Sequence, residues 1–252
     1  MTIQHCSDLH IEFRDNARYL QEHPLQTGSD VLLLAGDIVP FAEMKKHKTF
    51  FDFLSDHYHT TYWLPGNHEY YGSDLAERSG CIHEKIRDNI FLVNNLAIEH
   101  ESVRFIFSTL WSHISPVNQR EIQRGMFDFH TIQYRSQPFT AHHYNEQHQH
   151  CRQFLTETLQ QSAAGKTVVI THHIPTFLHY PERYRESILN EAFATELFEL
   201  IENSHADYWI YGHHHQPVPA FKIGDTSLIT NQLGYVKRKE HLAFNAGATL
   251  IW

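Results

Sequence analysis

The chain has 252 residues, of which 41% are hydrophobic and 13% are aromatic. This composition is too apolar for a disordered protein, and the length suits one large domain, residues 1–252, with a substantial core. The formal net charge of −9 gives no general basic surface, so we expect no nucleic acid partner.

The sequence also indicates the cellular location of the protein. No apolar run approaches the roughly 20 residues of a membrane-spanning helix. The first ten residues, MTIQHCSDLH, lack the basic start and the apolar stretch of a signal peptide. The cysteines Cys6, Cys81 and Cys151 are far apart and odd in number, which argues against a disulfide framework. We therefore expect a cytoplasmic protein without membrane association; the sequence does not indicate its oligomeric state.

Strands and helices alternate at the start of the chain. Ile3 begins the first strand, and the continuous apolar run 31–37 (VLLLAGD) predicts a strand that is buried on both faces. Residues 43–58 have the spacing of an amphipathic helix, and residues 74–89 are predicted as a second helix. Short strands are predicted at residues 60–64, 90–93 and 96–100.

The later elements are less regular. Residues 102–111 alternate and predict a strand packed on one face, whereas residues 112–150 are predicted to contain a lid or cap insertion. The remaining predictions are a helix at 144–163, a buried strand at 166–173, a helix at 191–204, a strand into a turn at 206–215, and a hairpin at 218–232 that turns at Gly224-Asp225. This order favours an α/β sandwich with two sheets.

Polar side chains of one kind follow five of the predicted strands. They are Asp8 and His10 in SDLH, Asp37 in LAGDIV, Asn67 and His68 in PGNHE, His172 and His173 in VVITHHIP, and His213, His214 and His215 in IYGHHH. Open α/β sheets bind ligands at the carboxyl ends of their strands, so these groups are expected to meet. Carboxylate, amide and imidazole donors together suit divalent ions, and there are more donors here than one tetrahedral ion uses. The sequence therefore predicts two ions.

The ordered motifs D-x-H, G-D, G-N-H-E, H-H and G-H-x-H resemble those of the calcineurin-like metallophosphoesterase superfamily, over residues 8–215. The resemblance implies an α/β (α+β) fold: a four-layer αββα sandwich of two mixed sheets flanked by helices, with a dinuclear metal site at the carboxyl ends of the strands. It implies two divalent ions, with Mn expected first and Fe, Zn, Co or Ni as alternatives. It also implies ligands for the first ion (Asp8, His10, His215), ligands for the second ion (Asn67, His172, His213) and a bridging carboxylate (Asp37).

His68 matches the histidine of the family that approaches the phosphate without binding metal, so His68 and Asp37 are the expected catalytic residues. Two such ions about 3.5–4 Å apart would lower the pKa of a shared water and supply hydroxide to attack phosphorus. We expect a small or nucleotide-like phosphomonoester or phosphodiester as the substrate. The alternatives are a protein phosphatase or a nuclease of the same superfamily, or a catalytically inactive scaffold with this fold.

Other residues are predicted with a competing structural explanation. The expected substrate contacts are Asn67, His68, His173, Trp111, His142 and His143. Trp111 could equally pack in the core, His173 could support a metal ligand without facing the substrate, and His142 and His143 could be the solvated start of a helix. His214 is expected to face away from the metals. Asp128 is left open between a helix cap and a pocket wall, and Glu69 between orienting His68 and bracing its loop.

Overall fold

A computed structural model describes residues 1–161 and 163–252. Its first sheet is built from β1 (Ile3–Cys6), β2 (Val31–Ala35), β3 (Thr60–Leu64), β4 (Ile82–Arg87) and β5 (Ile90–Asn94). The strands lie in the order β1-β2-β3-β5-β4, with β4 antiparallel at one edge and the others parallel. Every residue of β2 is buried, as its continuous apolar run predicts.

The second sheet comes from the later part of the chain. Its strands are β6 (Leu96–His100), β7 (Val103–Ser108), β10 (Lys166–Thr171), β11 (Tyr208–Ile210), β12 (Phe221–Ile223) and β13 (Thr226–Ile229). A separate small hairpin is formed by β8 (Gln133–Tyr134) and β9 (Gln137–Pro138). The order is β12-β13-β11-β10-β7-β6, with both edge strands antiparallel to their neighbours and the inner strands parallel.

Helices surround the two sheets. They are α1 (Arg14–Glu22), α2 (Lys48–His57), α3 (Gln119–Gly125), α4 (Asp128–Thr131), α5 (Ala141–Leu159) and α6 (Phe198–Glu202). Thr140 begins α5 by accepting a hydrogen bond from the backbone N–H of His143, which fixes the start of this long helix. Across the described residues, no helix combines the length and apolarity that crossing a membrane requires.

The two sheets pack face to face over a shared apolar core. Tyr62 of β3 lies 5.7 Å from Phe105 and 5.3 Å from Phe107 of β7, ring centroid to ring centroid. On the outer face of the first sheet, Phe51 of α2 packs against Trp63 at 5.4 Å. Helix α5 contacts β7 on the other sheet. The predicted four-layer αββα sandwich is therefore confirmed, since helices lie outside two packed mixed sheets.

Two helix predictions are wrong in instructive ways. Residues 74–89 form a short 3₁₀ turn at Leu75–Arg78 followed by the edge strand β4, in which Ile82 and Glu84 face one side of the sheet and the exposed His83 and Lys85 face the other. Within 191–204 only Phe198–Glu202 is α-helical. The backbone just before it forms hydrogen bonds with the loop after β10 instead of helical ones. One of them runs from the N–H of Thr195 to the carbonyl of Ile174 at 3.0 Å.

Smaller differences concern burial and length. Strand β7 is buried at all six residues, not on one face only, because the first sheet packs on one face and helix α5 covers the other. The helix predicted at 43–58 begins as a 3₁₀ helix at Phe41–His47 before α2. The helix predicted at 144–163 is present as α5, but it begins earlier, at Ala141, and ends at Leu159; Ser162 lies outside the described residues. The hairpin at Gly224-Asp225 is confirmed by the antiparallel pairing of β12 and β13.

Candidate metal centre

The loops that follow β1, β2 and β11 bring four side chains together in a first donor cluster. Asp8, His10, Asp37 and His215 each offer an atom within 4.8 Å of the others. His10 Nε2 lies 2.9 Å from His215 Nε2 and 3.7 Å from Asp37 Oδ2, and His215 Nε2 lies 3.4 Å from Asp8 Oδ1. The nitrogens and carboxylate oxygens therefore converge on one buried point.

A second donor cluster shares Asp37 with the first. His172 Nε2 lies 3.3 Å from Asp37 Oδ1, 3.0 Å from His213 Nδ1 and 3.2 Å from Asn67 Oδ1. Asp37 thus turns Oδ2 toward His10 and Oδ1 toward His172. One carboxylate reaching two donor clusters with different oxygens has the geometry of a bridging ligand.

In each imidazole of the two clusters, one ring nitrogen contacts a carboxylate or a backbone carbonyl that is not part of the cluster. His10 Nδ1 contacts Glu12 at 3.1 Å and His215 Nδ1 contacts Glu240 at 2.9 Å. His172 donates from Nδ1 to the carbonyl of Ala35 at 2.9 Å, and His213 donates from Nε2 to the carbonyl of Ala192 at 3.4 Å. These partners direct the other nitrogen of each ring, with its lone pair, into the cluster. The donor set fits two divalent cations.

The electrostatics of the two clusters also favour bound cations. Burial opposes protonation of His215, but Asp8 and Glu240 outweigh it and raise the pKa to about 9. Burial likewise opposes protonation of His172, and Asp37 raises its pKa to about 9. The carboxylates therefore stabilise positive charge at both clusters. A bound divalent cation would supply that charge in place of the protons.

The amide of Asn67 is held in one orientation. Its Nδ2 donates to Asp128 Oδ1 at 2.9 Å, and the Tyr71 hydroxyl donates to the same oxygen at 2.7 Å. The amide oxygen consequently faces His172. Asp128 is fully buried, follows the N-cap residue Phe127 of α4 and does not line the cavity, so it is neither of the two predicted alternatives, a helix cap or a pocket wall. Its burial raises the pKa of this carboxyl, while the bonds from Tyr71 and Asn67 oppose the rise.

His68 lies beside the clusters at the foot of a cavity. Its backbone N–H donates to Asp37 Oδ1 at 2.9 Å, its Nδ1 lies 3.3 Å from Glu12 Oε1, and its Nε2 lies 4.0 Å from Asp37 Oδ2. Its side chain is 12% exposed. Glu12, which sequence reasoning missed, is the carboxylate that contacts His68; its position two residues after His10 was the only available signal.

Glu69 braces the loop instead of orienting His68. Its carboxylate accepts from the backbone N–H groups of Asp37, Ile38 and Gly66 and from Nε1 of Trp63, at 2.7 to 3.0 Å. Burial, followed by the nearby charge of Asp37, raises the pKa of Glu69 to about 7. This residue ties the loop after β2 to the loop after β3.

The backbone of the centre is strained where the donors sit. Positive φ angles, which L-residues rarely adopt, occur at Asp8 (55°), His10 (46°), Asp37 (56°), His213 (81°) and His215 (51°). Strain of this kind persists only when the surrounding structure holds it, and it concentrates at functional sites. The strand-end loops are therefore shaped for the donors, not for the local preference of the chain.

The other predicted site residues are placed differently. His173 is buried, with Nδ1 against the carbonyl of Thr109 and Nε2 against the Tyr144 hydroxyl, and Trp111 packs on its ring at 5.3 Å. His142 is exposed beside Glu146, and His143 interacts with the start of α5. None of these four lines the cavity over the metal centre among the described residues, so their positions give no support for substrate contact.

His214, expected to face away, hydrogen-bonds Gln232 at 3.1 Å through Nδ1 and is buried, although it also borders the cavity. That cavity has a volume of about 740 Å³ and opens beside the two clusters. Asp37, Asn67, His68, His213 and His215 lie on its inner wall. Any ligand in it would meet the centre directly.

Comparison with known proteins gives three findings. The family described as calcineurin-like phosphoesterase matches residues 1–217. The uncharacterized protein L509 of Acanthamoeba polyphaga mimivirus is 30% identical over 263 residues, covering 92% of this chain and 91% of that protein. The crystal structure of a phosphopantetheinyl hydrolase from Mycobacterium tuberculosis has the same fold, with a TM-score of 0.71 at 15% identity, covering 99% of this chain and 95% of that one.

Proposed function

Because the chain belongs to the calcineurin-like phosphoesterase family, we propose that it is a phosphoesterase that uses two divalent ions to hydrolyse a small-molecule or nucleotide-like phosphoester. The observation that carries this proposal is Asp37, whose two carboxylate oxygens face separate donor clusters. A helix cap or a polar turn has no need for such an arrangement. We propose manganese as the first choice of metal, with iron, zinc, cobalt or nickel as alternatives, since this ligand set admits all of them.

We assign the first ion to Asp8, His10, Asp37 and His215, and the second to Asp37, Asn67, His172 and His213. When bound, the two ions would activate water and offset negative charge on the phosphoryl oxygens. The chain itself holds the imidazoles in the required tautomer through Glu12, Glu240 and backbone carbonyls.

His68 is proposed as the group that donates a proton to the leaving alcohol. Glu12 contacts its Nδ1, which leaves Nε2 on the side of Asp37 and the cavity. From that position the ring can reach an ester oxygen bound over the centre. Proton transfer from a positioned side chain typically contributes about 10²–10⁴-fold to the rate.

The cavity supports a small substrate. Its volume of about 740 Å³ lies within the range of roughly 300–1,000 Å³ seen for small-molecule sites. Residues 112–150 contribute Met126 and Phe127 to its wall, which supports the proposal that this segment forms part of a lid. The net charge of −9 does not favour the long phosphate backbone of a nucleic acid.

The test is release of p-nitrophenol from p-nitrophenyl phosphate and from its bis-ester by protein loaded with Mn²⁺. We expect turnover that Asp37→Asn abolishes, while the surface variant Asp56→Asn keeps wild-type rates. Parallel assays on a phosphopeptide and on single-stranded DNA examine the two alternative enzyme classes. Protein with both ions bound and no turnover on any of these esters would support the inactive scaffold instead.

A further inference from the structure

One wall of the cavity is an aromatic pair next to His68. The Tyr71 ring lies 4.1 Å from the His68 ring, centroid to centroid, and Phe127 packs edge-on against Tyr71 at 5.4 Å. Phe127 is 60% exposed and lines the cavity. A phenylalanine this exposed gains little from its packing in the free protein, so its ring is available to a ligand.

Aromatic rings also border the centre on its other sides. Tyr235 lies 4.8 Å from His10 and 4.4 Å from His215, and Phe13, which is 44% exposed, packs edge-on against Tyr235 at 5.4 Å. Phe193 lies 4.5 Å from His213. Three chain segments that are distant in sequence therefore place rings around the same metal centre.

The charges that line the cavity limit how much negative charge a substrate can carry. Among the described lining residues, Arg238 is the single arginine or lysine, and its guanidinium carbon lies 5.1 Å from the Tyr235 ring centroid. Glu12, Glu43 and Glu240 line the same space. Dianionic phosphates and polyphosphates are usually held by several arginine or lysine side chains. A phosphodiester carries a single negative charge and needs fewer cations beyond the metals.

We propose that the substrate is a singly charged phosphodiester whose retained ester group, the one that does not leave, carries a flat aromatic ring that rests against Phe127 and Tyr71 while the phosphate lies over the centre. This inference depends on the proposed phosphoesterase function and narrows its substrate class. The aromatic group could be an aryl ring or a nucleobase, since both present a flat π-face to the wall. The reaction is a hydrolysis: water adds to phosphorus, one ester P–O bond breaks, and the leaving alcohol takes a proton.

The experiment compares esters that share p-nitrophenol as the leaving group. They are p-nitrophenyl phosphate, methyl p-nitrophenyl phosphate, bis(p-nitrophenyl) phosphate and p-nitrophenyl thymidine 5′-phosphate. We expect kcat/KM to be higher for the better of the two diesters whose retained group carries a ring, here called aromatic diesters, than for the monoester or for the methyl diester. Whichever aromatic diester is cleaved better identifies the source of the ring, aryl or nucleoside.

The esters also differ in intrinsic reactivity, which does not depend on the protein. Phe127→Ala therefore shows how much of the preference comes from contact with the aromatic wall. Loss of one aromatic contact should reduce the preference for an aromatic over a methyl diester by about 3- to 10-fold. The reaction with the methyl diester should hardly change. Phe198→Ala is the matched control, because Phe198 is 38% exposed and does not line this cavity.

A binding measurement provides a readout that does not depend on turnover. Diphenyl phosphate has a poorer leaving group, so calorimetric titration can measure its dissociation constant, with dimethyl phosphate as the comparison. We expect diphenyl phosphate to bind more tightly, and Phe127→Ala to weaken its binding by about 3- to 10-fold.

Two outcomes overturn the inference while the proposed function stands: a preference for the monoester, or an aromatic preference that Phe127→Ala leaves unchanged in both assays. If protein with both ions bound hydrolyses none of the esters, the proposed function is contradicted, and the proposed substrate class is contradicted as well.

Discussion

Glu12 contacts two histidines to which we assign different tasks. Its Oε1 atom lies 3.1 Å from Nδ1 of His10, a proposed metal ligand, and 3.3 Å from Nδ1 of His68, the proposed proton donor. Burial opposes ionisation of Glu12, but its bonds with His10 and His68 outweigh this and lower its pKa to about 2. An ionised carboxylate at this position fixes both rings at once.

We expect Glu12→Ala to lower both metal retention and kcat by about 10- to 100-fold, the usual cost of removing a partner behind a metal-bound histidine. Glu12→Gln keeps one acceptor oxygen and should lose less. The measurements are metal content after dialysis and the rate of p-nitrophenol release.

Glu22→Ala, on the exposed face of α1, is the matched control for these variants. Unchanged metal content and unchanged kcat in Glu12→Ala would show that the carboxylate does not position either histidine.

At the scale of secondary structure, the loops after the parallel strands are packed so closely that they exclude side chains. A Cβ atom at Gly66 would collide with Asp37 Oδ1 and would lie 2.6 Å from Nε2 of His172. Gly36 has a φ of +91° and its Cβ would collide with the same histidine ring. These glycines allow the loops after β2 and β3 to approach the second donor cluster.

Gly66→Ala is expected to displace Asp37 and His172 and to reduce the metal content from two ions per chain to one. The atoms that its methyl group meets include side-chain donors, so the effect should appear first at the centre. Inductively coupled plasma mass spectrometry after dialysis measures the ions.

Gly80→Ala is the control, because a Cβ at Gly80 meets no atom within 4 Å even though its φ is +70°. Two tightly bound ions in Gly66→Ala would contradict the proposed role of this loop.

Sequence patterns predict elements well where one physical effect dominates. The apolar part of the run 31–37 forms β2 (Val31–Ala35), and the strand-end motifs indicate which donors meet. The spacing of the charged residues in β4 also fits a helix. Pairing with β5 in the sheet, which the local sequence does not reveal, makes this segment a strand. Residues 193–197 do not form the predicted helix because their backbone pairs with the loop after β10, which is distant in sequence.

The same reasoning explains what was missed at the centre. Asp128 lies 61 residues after Asn67, so no local pattern could reveal that it holds the amide of that residue. His142 and His143 looked suited to a lid because histidines cluster there, yet one is exposed and the other interacts with the start of α5. Contacts between distant segments depend on the packing of the two sheets, which sequence periodicity does not describe.

For the molecule as a whole, burial of neutral histidines makes stability depend on pH. His148 of α5 is 4% exposed, and its Nδ1 donates to the carbonyl of Trp111. Burial lowers the pKa of His148 from 6.5 to about 4. As the pH falls from about 6.5 to 4, the unfolded chain takes up a proton here and the folded chain does not, so the free energy of unfolding decreases.

His148→Asn should flatten this dependence, because Asn keeps a donor near the position of Nδ1 and does not titrate. Between pH 6.5 and 4, the slope of the free energy of unfolding should be smaller than in wild type by up to about 1.4 kcal/mol per pH unit. Urea denaturation at several pH values, with the metals removed from every sample, measures it.

The exposed variant His150→Asn on the same helix controls for the substitution itself. Equal slopes for wild type and His148→Asn would mean that His148 does not remain neutral in the folded protein.

The account depends on one arrangement, in which loops from both sheets hold two cations joined by Asp37. Anomalous diffraction from crystals grown with excess Mn²⁺ tests this arrangement most directly. We expect two strong peaks about 3.5–4 Å apart, with one carboxylate oxygen of Asp37 next to each. A single peak, or two peaks that Asp37 does not connect, would contradict the account.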